Sequence, residues 1–308
     1  MLDAAARGLY TRSTTQHLLD RFALDHAARR AYARGKERLL GTTTLSVADT
    51  TVEVSRATIP EPTYLDPELT VVARLLDRLE PDDVFWDVGA DKGLYASLAA
   101  AHGCEEVIAF EPHPVRREAL IRNLRRNDLS GRVRSEALSD RNGTAAFDYR
   151  IQATDRVDDS SDRAAATFTA ITARGDDLVE SHAVPVPSVC KLDVEGAEFE
   201  LLEGMEETLA NPSCRLIYCE LHDAAQRGFE GGPERVRELL ESHGFEVSTV
   251  ATRRGDGWTQ PYVEARRDAS VLTPTSDTTV WEGEPIDGTT ESRVGTTESS
   301  DRGAGAGD

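Results

Sequence analysis

The chain is expected to fold as an α/β protein around one doubly wound, mostly parallel sheet with helices on both faces. Three features lead there. Across 67–272, short apolar runs alternate with segments of helical period, the order that right-handed strand-helix-strand crossovers leave in a sequence. The run VFWDV ends in an acid and passes through a glycine turn straight into a helical segment. Other apolar runs also end on acidic residues, at the edge where open α/β sheets gather their functional groups.

Taken in order, Leu18, Leu19, Phe22, Leu24, Ala28 and Tyr32 recur at near-helical spacing within 14–40, and Gly41 supplies a stop. A helical extension over 1–41 follows. The stretch TLSVADTTVEVS, within 42–66, changes to β-branched alternation with Asp49 in a turn position, which predicts a hairpin, and Pro60, Pro62 and Pro67 then mark a loop. The α/β domain, 67–272, reads as a helix over 68–79, a strand over 84–88, a helix over 94–101, a strand over 107–110, a helix over 115–127 and a strand over 133–138. A polar insertion at 155–163 precedes a Thr-rich strand over 168–172, a strand over 188–194 and one helix over 198–209. A strand over 215–221, a helix over 233–243 stopped by Gly244, and a strand over 246–250 close the domain. Beyond Leu272 apolar anchors almost vanish, so 273–308 is expected to be a disordered acidic tail.

Of 308 residues, 55 are Asp or Glu and 35 are Lys or Arg, a net charge of −20, and the only lysines are Lys36, Lys92 and Lys191. Such a surface stays hydrated in concentrated salt, where a Debye length of about 3 Å at 1 M leaves little self-repulsion. A halophilic protein is expected. Cys104, Cys190, Cys214 and Cys219 lack C-x-x-C spacing and read as buried thiols rather than zinc ligands or disulfides. The chain opens without a continuous apolar leader and contains no long uncharged apolar run, so a cytoplasmic protein without a membrane span is expected.

Four stretches carry candidate chemistry. In VFWDVGADKGLYASLAA, Asp87 ends a strand while Gly89 and Gly93 let backbone N–H groups approach a polar ligand at the start of a helix. The G-x-x-x-G spacing lacks the dinucleotide fingerprint and tells against a nicotinamide cofactor. In VIAFEPHPVRREALIRNLRRN, Glu111 closes the next strand, 22 positions after Gly89, where a carboxylate can accept both hydroxyl protons of a ribose. The plainer reading is an acid that caps the following helix. VCKLDVEGAEFELLEGM places Asp193, Glu195 and Glu198 at a strand end and helix start, and RLIYCELHD places Glu220 and His222 at the end of another. Asp193, Glu195, Glu220 and His222 should therefore converge on one cleft. For Glu198 the preferred reading is an anion favouring a helix N-terminus.

In series, DVGADKGLY, AFEPHP, EALSDRNGTA, KLDVEGAEFELLEG and ELH resemble the motifs of the FkbM family of S-adenosylmethionine-dependent methyltransferases, over roughly three fifths of the chain. Asp91 and Lys92 depart from the Asn and apolar residue common there. The resemblance implies a Rossmann-like class I methyltransferase sheet with S-adenosylmethionine as cofactor. It also implies that Asp87, Gly89, Ala90, Asp91 and Gly93 surround the methionine moiety, that Glu111 holds the ribose, and that Ser135, Glu136 and Ala137 edge the adenine. The implied reaction is O-methylation of a hydroxyl on a small molecule or glycan.

Removing a hydroxyl proton calls for a base, and His222 is the candidate, with Asp193 and Glu220 orienting it or binding substrate and Glu195 in support. The plain alternative is a capping or core-edge histidine. Asp193, Glu220 and His222 are also a possible hard-ligand set for a divalent ion, although no metal is expected. The arginines Arg116, Arg117, Arg122, Arg125 and Arg126 read as a solvated helix face answering local acids, and without interleaved aromatics no nucleic-acid partner is expected. A competing function is a non-catalytic cofactor-binding or scaffold protein. Acceptor identity and oligomeric state leave no mark in the sequence.

Overall fold

The computed structural model describes residues 26–59, 62–148, 167–223, 231–255 and 258–267. The insertion expected at 155–163, the expected tail and the expected helical residues before 26 lie outside the described residues. Helix α1 (His26–Leu40) leads into the expected hairpin, β1 (Thr42–Val47) and β2 (Thr50–Ser55), in antiparallel register with Val47 opposite Thr50. Helix α2 (Pro62–Arg78) begins six residues earlier than the expected 68 and contains Pro67. Pro67 is the sixth residue of this helix, beyond the four N–H groups that lack an intrahelical acceptor, so the helix forgoes there the one bond that an N–H at this position would make.

The alternating part then supplies β3 (Val84–Val88), α3 (Leu94–His102), β4 (Glu106–Phe110), α4 (Pro114–Arg126) and β5 (Arg132–Arg134). Next come β6 (Ala137–Leu138), β7 (Gly143–Asp148), β8 (Thr167–Ala173), α5 (Gly175–Glu180) and β9 (Val189–Leu192). The chain closes with α6 (Glu198–Glu203), α7 (Glu206–Ala210), β10 (Leu216–Glu220), α8 (Pro233–Ser242), β11 (Glu246–Gly255) and β12 (Trp258–Arg266). The central sheet has seven strands in the order β11-β12-β10-β9-β3-β4-β5. Its β5, β4, β3, β9 and β10 are mutually parallel, and β12 runs antiparallel to both neighbours. The strand order reverses between β3 and β9. A crevice opens at the carboxyl ends of such a reversal, and ligands bind there.

Alternating residues of the buried strands feed two cores. One face carries Trp86, Val88, Cys190, Leu192, Ile217 and Val263 against Leu202, Leu209 and Leu240 of the helices. The other carries Phe85, Val189, Tyr218 and Tyr262 against Leu75, Leu98 and Leu120, with Val52 and Val54 of the hairpin in the same layer. Cys190, Cys214 and Cys219 are buried as expected, and all four cysteines are free.

Four expectations fail for identifiable reasons. The strand over 133–138 is divided: β5 continues the central sheet, whereas β6 joins a three-stranded sheet with β8 and β7. Between them Glu136 turns back onto Arg134 and accepts the Ser135 N–H at 2.9 Å. The Thr-rich strand consequently belongs to this second sheet, paired with the unforeseen β7. The single helix over 198–209 is broken at Gly204, where a Cβ would come within 2.0 Å of the Ser139 carbonyl oxygen. The Asp176 carboxylate restarts it as α7 by accepting the Thr208 N–H at 2.8 Å and the Glu207 N–H at 3.2 Å. Finally, β11 runs on to Gly255 and pairs with β12, a strand whose polar Trp258–Arg266 sequence lacks the apolar continuity of the parallel strands.

Candidate functional site

The turn after β3 is set by backbone constraints before any side chain acts. Gly89 has φ +76°, and a Cβ there would lie 1.8 Å from the Asp193 carbonyl oxygen. The Asp193 N–H also donates to the Val88 carbonyl at 3.0 Å. The glycine turn and the loop after β9 therefore touch through their backbones, and only glycine permits that approach. Gly93, at φ +78°, opens α3 and lies against Leu120 of α4, where a Cβ would meet Cγ at 2.6 Å. Both glycines are used for packing as well as for access. Ala90 is buried between them.

Around this turn the acids expected to hold the donor take distinct positions. Asp87 is buried; its Oδ2 accepts the Ala96 N–H at 2.9 Å, and its Oδ1 has no hydrogen-bond partner among the described residues. Burial pushes its pKa up to about 6, despite the nearby Lys191. Glu111 is buried as well and accepts the Asp91 and His113 N–H groups, each at 2.7 Å. Burial lifts its pKa to about 7. Each carboxylate oxygen retains a second lone-pair direction, so both ribose hydroxyls could still be accepted. An orphaned acceptor at Asp87 suits a cationic amine, and together these acids fit the methionine and ribose parts of S-adenosylmethionine.

Asp91, at φ +47°, faces Arg116 Nε at 3.3 Å and Lys92 Nζ at 3.2 Å. Burial would raise its pKa, but these two cations hold it well below the ordinary carboxylate range. Lys92 is thus spent on its neighbour. Ser135, Glu136 and Ala137 stand at the join of the two sheets beyond Glu111, with Glu136 held by Arg134. His113 begins α4 by accepting the Val115 N–H at 3.2 Å, and burial drives its pKa down to about 3, so its ring is neutral. The Arg face of α4 answers local acids: Arg122 and Arg126 bind Glu37 of α1, and Arg117 donates to the Glu111 and Pro112 carbonyls.

Beyond Asp193 the four predicted catalytic residues do converge. His222 is buried, with Nε2 at 3.3 Å from Glu195, 3.9 Å from Asp193 and 4.0 Å from Glu220. Its orienting partner differs from the expected Asp193 or Glu220. Nδ1 bonds the buried Glu198 carboxylate at 2.8 Å, and the same oxygen accepts the Gly196 N–H at 3.0 Å. Glu198 is therefore more than an anion at a helix start. Burial alone would lower the His222 pKa, but the Glu198 bond and the charges of Glu198, Asp193 and Glu195 more than offset it and lift it to about 9. The neutral-pH base expected from an ordinary imidazole is instead an imidazolium at neutral pH.

Three cations balance the acids. Lys191 lies inside β9, donates to Asp193 at 3.0 Å and sits 4.9 Å over the Tyr95 ring. Burial would lower its pKa, and the carboxylates of Asp193, Asp87 and Glu68 raise it instead. Arg253 meets Glu220 at 2.8 Å and Glu68 at 3.3 Å. Arg116 stands by Asp91. Of these, Lys191 left a signal in the sequence: a rare lysine in an apolar strand must find a partner. Glu68 and Arg253 left none. One oxygen each from Asp193 and Glu195 and a ring nitrogen of His222 lie within 4.8 Å of one another, close enough to meet at a divalent ion, with Glu195 in place of the Glu220 of the possible ligand set, although no metal was expected.

Residues 87–247 match the Methyltransferase FkbM domain profile. The chain is 36% identical over 186 residues to the hexuronic acid methyltransferase AglP of Haloferax volcanii, covering 60% of this chain and 72% of that protein. It is 29% identical over 223 residues to the 31-O-demethyl-FK506 methyltransferase FkbM of Streptomyces tacrolimicus, covering 62% and 84%. The solved methyltransferase FkbM of Methylobacillus flagellatus aligns over 64% of this chain and 50% of that one at 15% identity and a TM-score of 0.43.

Gly89→Ala should weaken S-adenosylmethionine binding by more than about tenfold and destabilise the fold by about 3 kcal/mol, since it adds a clash at a left-handed φ. Calorimetric titration and urea unfolding measure the two effects; an unaltered affinity would detach this turn from the donor site.

Proposed function

This chain belongs to the FkbM family of S-adenosylmethionine-dependent methyltransferases and catalyses O-methylation of a small molecule or glycan, and we propose that His222, Asp193, Glu195 and Glu220 form the catalytic end of its pocket. The observation that carries the assignment is the backbone contact between Gly89 and Asp193. It sets the donor-binding turn directly beside the loop that borders His222.

When bound, S-adenosylmethionine supplies an electrophilic methyl group for an in-line displacement, and the chain must align the acceptor and remove its proton. Asp87, with its free oxygen, would meet the methionine ammonium, Gly89, Ala90, Asp91 and Gly93 would line that moiety, and Glu111 would grip the ribose. Ser135, Glu136 and Ala137 would flank the adenine. At the other end, Glu198 holds Nδ1 of His222 and leaves Nε2 facing the pocket, as a buried carboxylate orients a catalytic imidazole. His222 takes the hydroxyl proton at Nε2, Asp193 and Glu220 bind or orient the acceptor, and Glu195 stabilises the imidazolium.

The hexuronic acid relative supports a sugar acceptor. Four free cysteines agree with a reducing, cytoplasmic setting, and the described residues contain no helix long and apolar enough to cross a membrane. Incubating glycan and metabolite pools with labelled methyl donor in high salt, followed by mass spectrometry, would identify the acceptor. Tight donor binding with nothing methylated would favour the scaffold alternative.

His222→Ala should abolish turnover while leaving donor affinity within about twofold by calorimetry; retained turnover would take His222 out of the mechanism. Because the folded imidazole holds its proton up to about pH 9, kcat should climb through neutrality towards that pH. Glu198→Gln removes an anion, so it should move this limb to lower pH and reduce the plateau. A limb unmoved by that replacement would mean another group titrates. Proton removal by His222 also predicts turnover that survives EDTA, whereas loss restored by added Mg or Mn would make Asp193, Glu195 and His222 a metal site.

A further inference from the structure

Arg253 reaches the site by an irregular route. Strands β11 and β12 pair with Thr249 opposite Val263, but two residues later Ala251 stands opposite Tyr262, so Val250 is an extra residue in β11. The register before the bulge would have set Arg253 across from Thr259, on the sheet face where Val263 and Ala265 enter one core. With the bulge it stands opposite Gln260, on the face of Tyr262 and α2. One inserted residue exchanges the two faces of a strand. Here it carries a guanidinium from the α8 side of the sheet to the side of the catalytic acids.

On that face Arg253 has a fixed place. Nη1 meets the Glu220 Oε1 at 2.8 Å, Nη2 meets Glu68 of α2 at 3.3 Å, and the group lies 5.5 Å from the Tyr262 ring centre. Tyr262 donates its hydroxyl to the same Glu68 oxygen at 3.0 Å. Glu220 is buried at the last position of β10, with the same Oε1 4.0 Å from His222 Nε2. A buried carboxyl group beside Asp193 and Glu68 is disfavoured by both of these acids, and a cation offsets that at this position.

We propose that Arg253, turned inward by the β11 bulge, is a positioning residue that holds the Glu220 carboxylate against His222 during methyl transfer. The proposal rests on the catalytic reading of Glu220 given above. Arg253 acts through Glu220, while the contact with Glu68 and Tyr262 anchors the guanidinium to α2 and β12. The C-terminal hairpin is thereby part of the catalytic apparatus, although neither strand supplies a group to the reacting atoms.

A double-mutant cycle in the full-length protein tests this, with kcat, acceptor KM and donor Kd measured for Arg253→Gln, Glu220→Gln and the pair. Arg253→Gln should lower kcat by about tenfold and leave the donor Kd within about twofold. In the Glu220→Gln background the same replacement should change kcat by less than about twofold, because the carboxyl group that Arg253 positions is gone. If Arg253→Gln alone does not fold, as judged by circular dichroism, the cycle is run on Glu68→Gln, where one of the two acids is already neutral. An impaired Glu220→Gln that loses about tenfold more on adding Arg253→Gln would overturn the proposal and leave the catalytic reading intact. An unimpaired Glu220→Gln would remove that reading and the proposal with it.

Discussion

A buried imidazole held by a buried carboxylate is the interaction on which the site depends. His222 and Glu198 bond at 2.8 Å, which fixes the ring and decides that Nε2 faces Glu195, Asp193 and Glu220. Two unit charges 4 Å apart interact by about 4 kcal/mol at an effective dielectric of 20, against about 1 kcal/mol in water. Charge at this depth therefore governs which groups hold protons. Surface pairs such as those joining α1 to α4 contribute far less, particularly in concentrated salt.

So many acids in one place require compensation, and the fold provides it from three directions. Lys191 comes from within β9, Arg253 from the bulged edge strand, and His222 from the end of β10. Each cation faces a specific oxygen rather than a diffuse field. The burden is uneven: Glu220 keeps a pKa pushed up to about 8 by burial and by Asp193, even with Arg253 in contact, whereas Asp193, facing both Lys191 and His222, is held below the usual range although burial opposes it. The pocket thus contains one carboxylate firmly ionised and one poised near neutrality, separated by environment alone.

The turn after β3 and the loop that borders His222 are joined through backbone. Gly89 leans on the Asp193 carbonyl with no space for a side chain, so the distance between the glycine turn and the histidine pocket follows from strand packing and not from flexible side chains. Sites held by rigid elements keep reacting atoms within the small tolerance that displacement chemistry demands. Glycine at this position serves geometry first and ligand access second.

The alternating periods, the glycine turn, the acids ending β3, β4, β9 and β10, and the ordered motifs were sufficient to define an α/β methyltransferase of this family, because burial period and turn chemistry are local properties of a chain. The cleft acids were legible for the same reason, since a polar residue closing an apolar run must emerge at the sheet edge. Tertiary structure decided the rest. That Glu198 orients His222 depends on how α6 lies against β10; that Arg253 faces inward depends on one unpaired residue between β11 and β12; and the break at Gly204 depends on a carbonyl contributed from Ser139. Each is a contact between segments distant in sequence, where register and close approach set the outcome and no local period records it.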